Sequence, residues 1–391
     1  MRNITILFFI LSFTLFGMSY EQFKRHTLQN SKILKSQTLT LQSTTQENNI
    51  LLRTANPVLS IEGSRFNENV GDNSFGYAVA ASQTIRMPGY MDGLQSKAKA
   101  SSLLSQAFAT QGRAGYLKTL EEFYTQYVYQ NKMLSLLKQE YTLSNRVTQM
   151  VKERYESGSE NKVAYLQAKT ETLTLKTQMY TTKQQQSTLY YQLLAVAGFS
   201  SKVSLEKRFI YSVSSKTKNS SKLSPQQQVI KAKGKVFQSD YSMNQNALQN
   251  YNLYAGMEKE PEQSILRFGL NIPLSIHNDR SEERMLAKLK MQQTQLDTEQ
   301  LNINTHSQKQ MIKVAIRELA NQYYALRTLQ QEQQELTTLL QEGYKIAKGS
   351  LFQLMTAKNK LIQTRKVLLQ TQKMINDQKI ALRFLQGDYN D

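Results

Sequence analysis

The chain has 391 residues, 49 Lys and Arg against 30 Asp and Glu, a formal net charge of +19 and no cysteine. The missing thiols exclude a disulfide framework, a thiolate metal site, a cysteine nucleophile and an acylated N-terminal cysteine. Only 5 prolines and 16 glycines interrupt it, which favours long helices over many small domains. The basic residues are interleaved with Glu, Gln and Thr, without a block of like charge, so nucleic acid is not an expected partner.

In chain order, Arg2 gives a positive start and Ile4 to Phe16 is an apolar run of about 13 residues, too short to span a bilayer as a helix. Gly17 and Ser19 occupy the −3 and −1 positions of a cleavage site, so residues 1–19 read as a signal peptide and the mature chain as exported. An uncleaved anchor is the alternative. No later segment approaches 18 consecutive apolar residues.

The remainder states one order of elements twice. Residues 21–55 read as broken helix, Leu59 to Gly63 as a strand, Asn67 to Asn73 as a turn and Ser74 to Arg86 as a second strand. A proline-free helical stretch follows from Asp92 to Glu156, then a break at 155–159, then helix to Ala197. A Ser- and Lys-rich linker, 200–224, leads to the second copy. This comprises helix from Pro225 to Ala247, strands Asn250 to Met257 and Ser264 to Ser275, helix from Asn278 to Ala347, a break at Lys348-Gly349-Ser350, and helix to Leu385. The repeats are therefore 20–199 and 225–391.

The strands alternate. Leu266, Phe268, Leu270, Ile272 and Leu274 share one face, while Ile265, Arg267, Gly269, Asn271 and Pro273 share the other. Phe75, Tyr77, Val79 and Ala81 likewise oppose Gly76, Ala78, Ala80 and Ser82. Such a pattern suits a tilted membrane strand or a half-buried strand of a soluble sandwich. Four strands cannot sit in lipid with open edges, so a membrane role requires several chains to pool their hairpins into one closed barrel. Two chains would supply eight strands and three would supply twelve. The helices carry heptads suited to coiled-coil packing: Leu354, Leu361, Leu368, Ile375 and Leu382, and Leu166, Leu173, Tyr180 and Leu194 with a gap at Ser187.

Over residues 20–391 the sequence resembles the TolC-type outer-membrane efflux proteins. Asn56-Pro57-Val58-Leu59-Ser60 and Ser82-Gln83-Thr84-Ile85-Arg86-Met87-Pro88-Gly89 are similar to the heavy-metal efflux (CzcC-like) branch, at a first-strand start and a strand-to-helix crossing. Asn271-Ile272-Pro273-Leu274 is the matching second crossing, with Pro88, Gly89 and Pro273 as its marks. Arg154-Tyr155-Glu156-Ser157-Gly158 running to Ala168, and Gly349-Ser350 running to Ala357, resemble the family's tip turns. The resemblance implies a mainly α protein with membrane β structure. Long antiparallel coiled-coil helices would form an α-barrel across the periplasm, and four strands per chain would enter a trimeric twelve-stranded outer-membrane barrel.

It further implies a passive duct, a homotrimer in contact with outer-membrane lipid, whose tip turns (Arg154, Tyr155, Gly158, Ser159, Lys348, Gly349, Ser350) dock on a periplasmic adaptor served by an inner-membrane transporter. The chain departs from the family at three places. The second tip is shorter, the acidic constriction falls on uncharged Gln353 and Thr356, and Tyr90-Met91 follows the crossing glycine where the metal branch has a basic residue.

No nucleophile elbow, phosphate loop or paired carboxylates is legible, so catalysis and a cofactor are not expected. His26, His277 and His306 lack ligand spacing, and the 14 methionines are dispersed, so no metal site is expected. Two other readings remain: a periplasmic coiled-coil scaffold without a pore, and the outer-membrane duct of a protein-secretion system. Gly158 and Gly349 are expected to be left-handed helix caps.

Overall fold

The computed structural model describes residues 17–66, 74–217, 220, 222–346 and 348–390. The apolar run 4–16 and the expected turn 67–73 lie outside the described residues. The first repeat consists of α1 (Tyr20–Asn30), α2 (Lys32–Leu52), β1 (Val58–Phe66), β2 (Ser74–Arg86), α3 (Pro88–Glu156) and α4 (Lys162–Ala197). The second consists of α5 (Pro225–Met243), β3 (Asn250–Lys259), β4 (Ser264–Asn271), α6 (Ser281–Lys345) and α7 (Leu351–Leu385). The duplication extends to lengths: α3 and α6 have 69 and 65 residues, α4 and α7 have 36 and 35. At 1.5 Å per residue each long helix is about 100 Å long.

Helix α3 starts at Pro88 rather than Asp92. Proline fits a first helical turn because the N–H it lacks would be unpaired there anyway. At the N-terminus, Ser19 closes a capping box with Gln22, and Met18 exchanges backbone hydrogen bonds with Ser204 and Glu206 of the linker.

Two compact units are built from pieces of both repeats: residues 1–35, 113–222 and 306–391 in one, residues 36–112 and 223–305 in the other. Basic and acidic residues balance in the second unit, so the whole +19 belongs to the first.

The second unit holds the sheet, all antiparallel in the order β1-β2-β3-β4. Its register settles which residues share a face, because directly paired residues point the same way. Ile61 pairs with Val79, Val79 with Met257 and Met257 with Leu266; one step along, Leu59, Ala81, Ala255 and Phe268 line up. The apolar faces read separately in the two repeats are thus one continuous face. It lies open: Ile61, Phe75, Leu266 and Phe268 are 71%, 73%, 68% and 77% exposed. The opposite face carries Ser60, Glu62, Ala78, Ala80, Gly256 and the Arg267–Glu258 ion pair at 2.7 Å. Among the described residues, β1 and β4 each leave one edge unpaired. Beside the sheet, small residues let α2 and α3 approach: Asn48 Nδ2 donates to Ala98 O at 3.0 Å and to Ser102 Oγ at 2.8 Å.

The first unit packs Phe23, Leu120, Tyr124, Val128 and Leu193 in one apolar cluster. Beside it the fully buried carboxylate of Glu121 accepts from three phenols, Tyr20 at 3.0 Å, Tyr211 at 2.7 Å and Tyr389 at 2.5 Å, with Arg383 Nη1 at 3.5 Å. One carboxylate therefore ties together α1, α3, the linker, α7 and the segment after it. The linker itself is pinned: Tyr211 N donates to Asn376 Oδ1 at 2.8 Å, and Asn376 Nδ2 returns a bond to Tyr211 O at 3.1 Å.

Candidate functional site

The first tip turn is a Schellman closure of α3. Ser159 N–H donates to Arg154 O at 2.8 Å and Gly158 N–H to Tyr155 O at 3.0 Å. Gly158 has φ +75°, which a side chain rarely adopts, and space around it is open. Asn161 then caps α4 by accepting from Ala164 N–H at 2.8 Å. Tyr155 stacks on Tyr165, centroids 5.9 Å apart with planes 5° from parallel.

The second turn is built differently. Lys348 N–H reaches back to Gly343 O at 2.9 Å, and Ser350 precedes α7 without a side-chain cap bond. Gly349 is not in the left-handed region, contrary to the expected cap. Its reason is proximity: a Cβ there would stand 2.8 Å from Tyr344 N and 3.0 Å from Gly343 C, both rigid backbone. Lys345 and Lys348 are exposed, and residue 347 lies outside the described residues.

The structure brings the two turns together through Arg154, expected at the first tip, and through Tyr344 and Glu160, which the sequence reading passed over. Arg154 Nη1 donates to Tyr344 O at 2.9 Å, placing a cation at the C-terminal end of α6, and its guanidinium stands 4.5 Å from the centre of the Tyr344 ring. Tyr344 OH donates to Glu160 Oε2 at 3.1 Å. Burial, reinforced by the Glu160 carboxylate and opposed by Arg154, pushes the Tyr344 phenol up to about 12. Val147, Val151, Ala164, Ala168, Leu351 and Leu354 pack beneath this clasp. One signal was legible: in each repeat a tyrosine, Tyr155 or Tyr344, sits in the last turn before the break.

Behind the apolar layer lies a buried polar belt. Lys358, 1% exposed, donates to Ser144 Oγ at 3.0 Å and stands 3.1 Å from Glu171 Oε2. Thr172 meets Ser144 and Thr148, each at 2.8 Å. Arg365 pairs with fully buried Glu140 and with Gln334. Helices α3, α4, α6 and α7 are thereby locked side by side near the turns.

The crossings differ from one another. Pro88 opens α3 one residue past β2, and Met87 N–H donates to Gln249 O at 2.8 Å. Gly89 follows, where a Cβ would meet Asn246 Oδ1 at 2.8 Å. Pro273, expected as the matching handover, marks only the strand's end: β4 stops at Asn271 and α6 starts at Ser281. The intervening segment is shaped by Asn278 and Asp279, which accept from the backbones of Arg280 at 3.2 Å and Ser281 at 3.0 Å. Arg280 there takes a left-handed φ of 66°.

Among the described residues no group of three or more His, Asp or Glu lies together as a metal site, and no helix is long and apolar enough to cross a membrane. His26 instead stacks on Phe199 at 4.1 Å.

No family model and no curated protein matches the chain. Solved structures do. The outer-membrane channel OprN aligns with a TM-score of 0.79 at 11% identity, covering 95% of this chain and 90% of that one. The outer-membrane protein VceC of Vibrio cholerae aligns at 0.77 and 12%, covering 94% and 95%. The CmeC outer-membrane channel of Campylobacter jejuni aligns at 0.77 and 14%, covering 94% and 85%. At such identities the likeness is one of fold, and it spans nearly the whole of both chains.

Proposed function

We propose that the chain is the outer-membrane channel component of a tripartite efflux system, a passive duct and not an enzyme. The observation that carries this reading is the sheet. An apolar face this exposed, on four strands with two open edges, is costly in water and suits lipid once neighbouring copies close the edges. Three copies supply twelve strands. The likeness to the outer-membrane channels OprN and CmeC and the outer-membrane protein VceC supports the same conclusion. The charge distribution agrees with it, since the sheet-bearing unit is neutral and the basic excess lies in the unit assigned to the periplasm.

In this reading residues 1–19 direct export, and the helices extend from the barrel into the periplasm. The two tip turns, presenting Gly158, Ser159, Lys348 and Ser350 around the Arg154–Tyr344–Glu160 clasp, are the surface on which a periplasmic adaptor docks. An inner-membrane transporter supplies the energy. Cargo passes by diffusion when the helices around the turns move apart.

The absence of native cysteine makes the lipid assignment directly testable. A fluorophore on Phe268→Cys should be quenched by brominated lipid in reconstituted vesicles. The same fluorophore on Arg267→Cys should be quenched by aqueous iodide instead. Iodide quenching at both positions would return the chain to the scaffold reading.

A further inference from the structure

Two heptads were read from the sequence, and the structure uses them differently. That of α7 is consumed inside the chain: Leu354, Leu361, Ile375 and Leu382 are buried. That of α4 is buried only at Leu194 near its end: Leu166, Leu173 and Tyr180 are 47%, 52% and 57% exposed. Between them, four and three residues apart, fall Lys162, Lys169, Lys176 and Lys183, so α4 presents a complete seam that alternates apolar residues with lysine. Lys162, Lys169 and Lys183 are exposed, and none of the four forms an ion pair among the described residues.

Helix α6 carries the complement. Leu336 and Leu339 are 50% and 59% exposed, and Glu332, Glu335 and Glu342 beside them are exposed and without an ion pair among the described residues. The Tyr344–Glu160 hydrogen bond puts residue 160 of the chain level with residue 344. From there α4 climbs away from the turns as α6 descends toward them, with equal rise per residue. Lys162 is therefore level with Glu342, Lys169 with Glu335, and Leu166 and Leu173 lie within one residue of Leu339 and Glu332 in height. Rotation about an axis along the bundle leaves heights unchanged, so this register also holds between rotated copies.

Building on the channel reading, we infer that α4 of one copy packs antiparallel against α6 of the next, Lys162 on Glu342 and Lys169 on Glu335 around the Leu166–Leu339 contact. The contact is heterologous, basic seam to acidic seam, and such contacts propagate around a ring until it closes. Lysine at alternate seam positions disfavours α4 on α4 and so sets both partner and direction. An adaptor helix seated on the α4 seam is the competing occupant.

The test uses the full-length protein, purified in detergent, with Leu166→Cys and Leu339→Cys combined in one chain and a short bismaleimide matched to packed helices. The expected result is a covalent ladder ending at the closed oligomer, absent from each single variant and from a Leu166→Cys, Met311→Cys control. Lys169→Glu alone and Glu335→Lys alone should each reduce the oligomer at fixed protein concentration, and the double swap should restore it. A closed oligomer by mass with no ladder and no charge-swap rescue would overturn the seam while leaving the channel reading intact, and would point to the adaptor. A protein that stays monomeric by mass would overturn both.

Discussion

Glu121 shows how much of this protein is decided by single buried groups. Its carboxylate is fully buried, and three phenols and Arg383 satisfy it. Glu121→Ala leaves three hydroxyls without this acceptor and takes one partner from the part-exposed Arg383, and is expected to lower the unfolding free energy by about 3 kcal/mol, read from denaturant midpoints in detergent. Nothing in the sequence marks this cluster, because its members at 20, 121, 211, 383 and 389 meet only through the fold. The tip clasp adds a pH dependence. Because the folded state raises the Tyr344 phenol from 10 to about 12, its contribution is complete below pH 10 and is lost as pH rises through 12. Tyr344→Phe should flatten that part of the alkaline transition. At the glycines the sequence gives identity but not cause. Gly158→Ala meets only backbone strain, about 1–2 kcal/mol, whereas Gly349→Ala must displace the backbone of α6 and should cost more, measured as thermal midpoints of the paired variants.

Among the elements, period and duplication were legible and endpoints were not. The alternation of β2 and β4 named the apolar face correctly, since side chains alternate strictly along a strand. That both hairpins share one face needed the pairing of β2 with β3, which no local pattern records. The second crossing failed because Pro273 reports only that a ladder cannot continue, and says nothing of where helix begins. Heptads named coiled-coil helices, yet could not separate the seam buried inside the chain from the one left open. The polar belt supplies a test at this scale. Lys358→Met replaces a buried cation with a side chain of similar length and is expected to be neutral or stabilising once Glu171→Gln accompanies it. Glu171→Ala alone strands Lys358 and should cost about 3 kcal/mol in the same denaturation assay.

For the molecule as a whole, the repeated order of elements and the absence of cysteine already narrowed the class, and the fold agrees with that of outer-membrane channels over nearly the full chain. Where the charge sits was not legible, because the two units interleave along the sequence. The sheet is the element that a lone chain leaves open: its edges are unpaired among the described residues and its apolar face is exposed, and in the proposed channel neighbouring copies and lipid would cover them. The most direct measurement is single-channel conductance of the purified, signal-processed protein in a planar bilayer, with oligomer mass read on the same sample. A trimer giving discrete conductance steps, larger when Tyr344→Phe and Arg154→Ala release the tip clasp, is the expected result. A monomer or dimer that never conducts, with the clasp intact or removed, would contradict the duct.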